Sequence, residues 1–318
     1  MEQLISNEKM PTPRKSTEYN GMELVCPVVL LNRNKINNYD ELDTILSNMI
    51  KDKLYEDKIK FNNEKDLLEY IKDIREKKKL TNNYIKNFNK QLELSGYFPP
   101  PEDIKTIYIS GKTNKHSEID KLNEGLSKLE AKGDVYIEQK NGKCDGLSVK
   151  QSKAATKSNY SVQKILGKET DKLLTEIKKN YLTEQGFPPK FNELDRDELN
   201  KLFKPENKEN PYMSKLKEEI EKNKQMICNF LIEKLYCSNV KYDIYEFDGL
   251  QLNKLIKPND NSDITFGEYM PYYYKKSGEK RDATKLFYRL TCRDKIYRVE
   301  VRWKGNLYVS PQFQIHEE

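Results

Sequence analysis

Two short strand-like runs meet at Asn141-Gly142, and this junction constrains the fold more than any other feature of the chain. DVYIEQK (Asp134–Lys140) is a strand with an aspartate at its mouth, and KCDGLSVK (Lys143–Lys150) is a second strand that ends in a lysine. Asn-Gly between such runs marks a β-hairpin. Side chains two apart on a strand share a face, so the turn decides which polar groups meet. A two-residue Asn-Gly turn makes the sum of paired positions odd and sends Lys150 to the face away from Asp134. A three-residue loop, Asn141-Gly142-Lys143, pairs Lys140 with Cys144, makes that sum even and brings Asp134 and Lys150 to one face. A solvated hairpin in a lysine-rich chain needs neither register; a site built from Asp134, Ser148 and Lys150 needs the even one.

Helical and extended patterns alternate around the hairpin. Residues 1–21 are polar with two prolines and read as a flexible arm. MELVCPVVLL (Met22–Leu31) reads as a buried strand or an edge piece broken by Pro27. Tyr39–Leu94 carries apolar residues at three- and four-residue steps and reads as helical. FPPPED (Phe98–Asp103) is a stiff connector and marks a domain boundary. IKTIYIS (Ile104–Ser110) is a strand, and Ser117 with Asp120 opens a helix that Gly125 can end early. Asn159–Leu182 reads as one long amphipathic helix capped by Ser158 or Asn159. Met213–Leu235 reads as a second helix and KYDIYEF (Lys241–Phe247) as a strand. From Lys285 the runs LFYRLTC, IYRVEVRW and LYVS form a meander. The class is α+β: an arm at 1–21, a mainly helical region at 22–100, a core at 101–250 and a β-rich region at 251–318.

Charge narrows function only partly. The 318 residues hold 57 lysines and arginines against 51 acids, a net charge of +6 that points to a polyanionic partner. Lysine and asparagine are abundant throughout, as AT-rich coding DNA produces whatever the function, so the nine arginines say more. Five of them, Arg281, Arg289, Arg293, Arg298 and Arg302, fall in one short interval. A guanidinium binds phosphate or guanine bidentately, which an ammonium cannot do; ordinary exposed strand residues explain the interval equally well. The five cysteines form no C-x-x-C pair, and only His116 and His316 stand beside them, which argues against structural zinc and for a reducing, intracellular setting. No segment has the apolar length of a membrane span or a signal peptide's apolar region, so the chain reads as soluble. Glycine-rich phosphate loops and a G-x-S-x-G elbow are absent. If such a chain acts on phosphodiesters, carboxylates with a metal must carry the reaction.

Phosphodiester hydrolysis calls for a divalent cation that binds the scissile oxygen and acidifies the attacking water. Hard cations such as Mg2+ take oxygen ligands, and a nearby lysine stabilises developing negative charge. Asp134 stands at the mouth of the first strand, and Ser148-Val149-Lys150 ends the second. Asp134 with Ser148-x-Lys150, followed by QSKAATKSNYSV, resembles the catalytic core of PD-(D/E)xK type II restriction endonucleases over residues 104–250. The resemblance implies a restriction-endonuclease-like core of helix, antiparallel hairpin, helix and strand. It further implies Mg2+-dependent cleavage of double-stranded DNA at a short sequence, with Asp134 as metal ligand and Lys150 near the attacking water. A palindromic target implies a two-fold homodimer.

Two positions depart from the pattern. Gly133 replaces a proline, and Ser148 replaces the second carboxylate. Asp145 lies three residues from Ser148 and faces the other side, while Glu138 shares the face of Asp134 but lies about 13 Å along the strand. Members of this family can recruit the missing acid from a neighbouring helix, which makes Glu118, Glu130 and Glu169 candidates. Glu118 flanks the apolar stripe of its helix and is the expected second ligand.

The tract behind Lys150 supplies DNA contacts on this reading. Gln151, Ser152, Lys153, Thr156, Lys157, Ser158 and Asn159 form a donor-rich loop running into a helix N-terminus, an anion site. In IYRVEVRW, Arg298, Glu300 and Arg302 share one face for phosphate or groove contact, with Tyr297, Val299, Val301 and Trp303 on the core face. Gln312 and Gln314 have the side chains that read adenine edges. Tyr272–Tyr274, with Lys275 and Lys276 beside them, read as core. The alternative, from a different class, is a non-catalytic basic DNA- or RNA-binding protein that uses the same surfaces without needing Asp134.

Overall fold

The computed structural model describes residues 19–52, 57–63, 65–111, 114–126, 133–153, 155–186, 211–256, 264–268, 273–274, 280–281, 286–302 and 310–318. The architecture is α+β, in two compact units: Met1–Leu122 with Gly133–Val149, and Asn123–Lys132 with Lys150–Glu318. Most of the expected arm, and Glu130, lie outside the described residues, as do Tyr272, Lys275, Lys276 and Trp303. Among the described residues no helix is long and apolar enough to cross a membrane.

In the first unit, the run expected as a strand is helix α1 (Met22–Asn32). Its apolar residues leave no polar stripe, so the segment must be covered on all sides, and a helix meets its own backbone hydrogen bonds there. Leu24, Val25, Val28 and Leu30 are fully buried. Pro27 removes one internal bond without ending the helix. The region read as helical holds α2 (Tyr39–Asp52), α3 (Asp66–Glu76) and α4 (Lys78–Ser95), with a short strand β1 (Ile59–Phe61) between α2 and α3. Helix α1 packs on α3, α4 and strand β2 (Ile104–Ile109). The FPPPED connector lies inside this unit, where the Arg33 guanidinium donates to the carbonyls of Phe98 and Pro99. After β2 come the short helix α5 (Ser117–Leu122), β3 (Val135–Gln139) and β4 (Cys144–Val149). Strands β1 and β2 are parallel, while β2, β3 and β4 are antiparallel neighbours in that order.

The second unit corrects the expected helix at 159–182. Its first residues belong to strand β5 (Thr156–Ser161), which is followed by α6 (Val162–Leu166) and α7 (Lys168–Glu184). Gly167, at φ +89°, separates the two helices. Neither Ser158 nor Asn159 is the cap: the Ser161 hydroxyl oxygen accepts from the Lys164 N–H at 3.2 Å. The expected second helix is divided at Asn223 into α8 (Pro211–Lys222) and α9 (Lys224–Leu235).

Strands β6 (Asp243–Phe247) and β7 (Leu252–Lys254) pair antiparallel, as do the two-residue strands β9 (Tyr273–Tyr274) and β10 (Lys280–Arg281). The main sheet is antiparallel. It contains β5, β8 (Ile264–Glu268), β11 (Leu286–Cys292), β12 (Lys295–Arg302) and β13 (Gln312–Glu317), in the order β5-β13-β12-β11-β8. The meander therefore exists, but its last described strand is QFQIHE; Leu307–Val309 of LYVS lie outside the described residues. One sheet face presents Tyr160, Leu290, Val299, Val301 and Phe313 to a core shared with Leu174, Leu216, Ile220 and Leu231 of the helices. Tyr297, Val299 and Val301 alternate into that core, leaving Arg298, Glu300 and Arg302 on the opposite face.

Candidate active site

The hairpin register is even. Val135 faces Leu147, and Glu138 faces Cys144. The N–H of Gln139 donates to the Lys143 carbonyl at 2.8 Å, which closes a three-residue loop, Lys140-Asn141-Gly142, one position earlier than expected. Gly142 holds φ +85°, the left-handed residue such a loop requires. The Asn141 side-chain oxygen accepts from the Lys143 N–H at 2.9 Å and fixes the turn locally. This register sets Asp134 directly across from Ser148.

Backbone bonds lock Asp134 in place. Its N–H donates to the Leu147 carbonyl at 3.0 Å, and its own carbonyl accepts from the Ser110 N–H at 3.0 Å and the Ser110 hydroxyl at 3.1 Å. The half-buried carboxylate then reaches across the hairpin. Its Oδ2 accepts from the Val149 N–H at 2.7 Å and from the Ser148 hydroxyl at 3.2 Å. A carboxylate at position 148 would face Asp134 with like charge across a ladder. A hydroxyl there donates instead.

A second acid enters from α1. Glu23 lies in that helix's first turn, where the helix dipole favours an anion, and it is buried. It accepts a hydrogen bond from the Tyr70 hydroxyl at 3.1 Å. Burial holds the Tyr70 hydroxyl far above the usual tyrosine range, reinforced by the charge and hydrogen bond of Glu23 and by the charges of Asp66 and Asp134. Tyr70 is therefore a neutral donor set among three carboxylates. Gly111, at φ +52°, closes over the same place: a Cβ there would lie 2.7 Å from the Tyr70 hydroxyl and 3.6 Å from Glu23 Oε2. The start of α1 is itself anchored, with the Gly21 N–H donating to Asp73 Oδ2 at 2.8 Å and the Asn20 amide to the Val149 carbonyl at 3.4 Å.

The other expected site residues are scattered. Glu118 is exposed on the first turn of α5, where its own backbone N–H holds its pKa down, and its charged neighbours are Lys60 and His116. Asp145 is fully buried on the opposite face of the hairpin, bonded by Gln139 and Lys143. Lys150 is the first residue of the second unit after β4, half-buried, with its N–H donating to the Phe247 carbonyl at 2.8 Å. Lys153 and Thr156 are exposed and Gln151 is half-buried.

The anion site expected at Lys157–Asn159 does not form, because these residues are strand, not a helix N-terminus. The Lys157 ammonium is buried between Glu246 and Glu317, and the Ser158 hydroxyl donates back to the Lys157 carbonyl at 2.8 Å. Arg298 and Arg302 flank the buried Glu300, at 3.1 and 3.5 Å.

Among the described residues no group of three or more His, Cys, Asp or Glu side chains is placed to hold a metal ion. Two carboxylates still fit Mg2+, which is commonly held by one or two, with waters and substrate phosphate completing its shell. No family model, curated protein or solved structure matches this chain.

Proposed function

We propose that the chain is a type II restriction endonuclease, hydrolysing phosphodiester bonds of double-stranded DNA at a short sequence with Mg2+, on a variant PD-(D/E)xK hairpin. The observation that carries this reading is the even register, which sets Asp134 across from Ser148 as such a hairpin requires. Glu23, not Glu118, is then the acid that stands in for the one Ser148 lacks, because Glu23 and Asp134 act on the same buried tyrosine. Asp134 and Glu23 would hold the metal, which when bound acidifies a water and neutralises charge on the scissile phosphate.

The protein groups supply positioning. The Val149 N–H and Ser148 hydroxyl aim the Asp134 carboxylate, and Tyr70, kept protonated, orients Glu23. Lys150, next in the chain after β4, is the cation assigned to developing negative charge. A palindromic target would be met by a two-fold homodimer.

Supercoiled plasmids of varied sequence with Mg2+ test this. Wild type should linearise at least one, and Asp134→Ala and Lys150→Ala should each lose that activity by at least about a hundredfold while still binding duplex. Cleavage that survives both changes sinks the assignment. The basic composition, with 57 lysines and arginines against 51 acids, equally suits a second reading, a non-catalytic nucleic-acid-binding protein. Duplex binding without cleavage by wild type would support that reading.

A further inference from the structure

The polar face of the second unit's sheet carries a feature that folding does not require. Across β5, β13 and β12, Ser161 lies opposite Gln312 and Gln312 opposite Arg302. Two residues along, Asn159 lies opposite Gln314 and Gln314 opposite Glu300. Opposed side chains share a face, so these groups form one polar surface. Gln314 and Glu300 are buried within it, 4% and 3% exposed. Asn159 and Gln312 differ: Asn159 Oδ1 and Gln312 Oε1 are both buried, and neither has a hydrogen-bond partner. A buried acceptor left unpaired is unfavourable, and a native fold that keeps two side by side has something to gain from them.

Both amides line a single cleft of about 490 Å³. Ser161, Gln163, Lys164 and Lys168 line it too, and the break at Gly167 is what brings Lys164 of α6 and Lys168 of α7 to the same opening. The cleft thus joins two unpaired acceptors with two exposed cations. Its ligand must present N–H donors on one edge and carry negative charge, which a water or a free phosphate cannot do together. A nucleotide does both. Among the bases, adenine sets a donor amine beside the acceptor N7, and an amide side chain matches that edge bidentately. The major-groove edge of guanine offers acceptors, thymine offers an acceptor and a methyl, and cytosine offers one donor. The volume also suits a nucleotide.

We infer that this cleft reads an adenine of the DNA the chain acts on. Asn159 and Gln312 take the amino edge, and Lys164 and Lys168 hold the adjoining phosphate. The nucleic acid itself rests on the reading of the preceding section; the hairpin's chemistry does not enter. Gln314, the other glutamine of β13, takes no part because it is buried against Glu300.

The test titrates the full chain, without divalent metal, with dAMP, dGMP, dCMP, dTMP and inorganic phosphate, followed by NMR or calorimetry. The expected result is a preference for dAMP of about tenfold over dGMP and dTMP. Asn159→Ala and Gln312→Ala should each shrink that preference to below about threefold, with phosphate binding kept. Lys164→Ala and Lys168→Ala should weaken all four nucleotides alike. Asn159→Ser and Gln312→Ser, checked by thermal melting, replace any alanine variant that does not fold. Equal binding of the four nucleotides, no binding of any, or a dAMP preference unchanged in the amide variants overturns the inference. Because neither metal nor cleavage enters, plasmid cleavage with unselective binding sinks the cleft alone, and selective binding without cleavage sinks the nuclease alone.

Discussion

On the proposed reading, the residue that decides the chemistry is Glu23, and the reason lies in how charge is distributed around Tyr70. Glu23, Asp66 and Asp134 all act on one buried hydroxyl, which answers by staying protonated far into the basic range. Asp66 is already engaged by the Tyr19 hydroxyl at 2.9 Å and by Asn63. On the proposed reading, Glu23 and Asp134 are the pair assigned to the cation. Glu118, on its exposed turn, answers to Ser117, Lys60 and His116 instead. Glu23→Gln should therefore lower plasmid cleavage by about a hundredfold, because it removes one of two charged oxygen ligands while keeping the acceptor for Tyr70. Glu118→Gln should leave cleavage within about threefold of wild type, since an exposed charge contributes little at a distance. Initial rates on one plasmid at fixed Mg2+ compare the two directly, and a larger loss for Glu118→Gln would reverse the assignment.

At the scale of elements, the hairpin shows how a turn sets a site. Because the side-chain period is two, one residue more or less between Asp134 and the turn exchanges the face that Asp134 shares with β4. Deleting Glu138 from β3, with the loop keeping Gln139 opposite Lys143, would set Asp134 across from Leu147 instead of Ser148. Ser148 and Asp134 would then point to opposite faces unless the strand bulges. Cleavage should fall by at least about a hundredfold in that variant, whereas a Glu138→Ala control with the same strand length should retain it. Hydrogen-exchange protection of β3 and β4 distinguishes a shifted hairpin from a lost one, and full activity in the deletion would show that the register is not what positions Asp134.

The hairpin itself was legible from Asn141-Gly142, because turn chemistry is local, but its parity was not: Asn-Gly fits a two- or a three-residue loop, and only the site reading asked for the even register. Helix α1 was not legible, because the unbroken apolar run Leu24–Leu31 has no period and a buried helix and a buried strand look alike. A signal did exist: Asn20, three residues before Glu23 and just ahead of the apolar run, has the spacing of a capping box. Reading it would have placed α1 and its acid together. The strand at Thr156–Ser161 was hidden differently. Its polar side chains resemble a loop, and only partners distant in sequence, Glu246 and Glu317 on Lys157 and β13 alongside, make it a strand. The cleft at Asn159 and Gln312 depends on that same long-range pairing, so each residue was suggested as a DNA contact by its chemistry while their meeting in one cleft was not.

For the whole molecule, a net charge of +6 overstates what is available to a polyanion. The cations that looked most suited to phosphate are largely engaged in the fold. Arg298 and Arg302 bracket Glu300, Arg289 lies 3.6 Å from the carboxylate of Glu318, and Lys157 is enclosed by two glutamates. Lys164 and Lys168 are exposed beside a cleft with unpaired amides, and on the proposed reading they are among the cations whose counterions DNA would displace. Counterion release makes that distinction measurable, since each phosphate contact contributes about 0.9 to the slope of log affinity against log salt. Fluorescence anisotropy on one short duplex without divalent metal, between about 50 and 200 mM salt, reads the slope. Lys164→Ala and Lys168→Ala should each reduce its magnitude by about 1, and Arg298→Ala by less than about 0.5 because Glu300 already compensates that charge. If Arg298→Ala removed a full unit while the lysine variants removed none, the polar sheet face around Glu300 would be the phosphate contact and the cleft would lose its anchor.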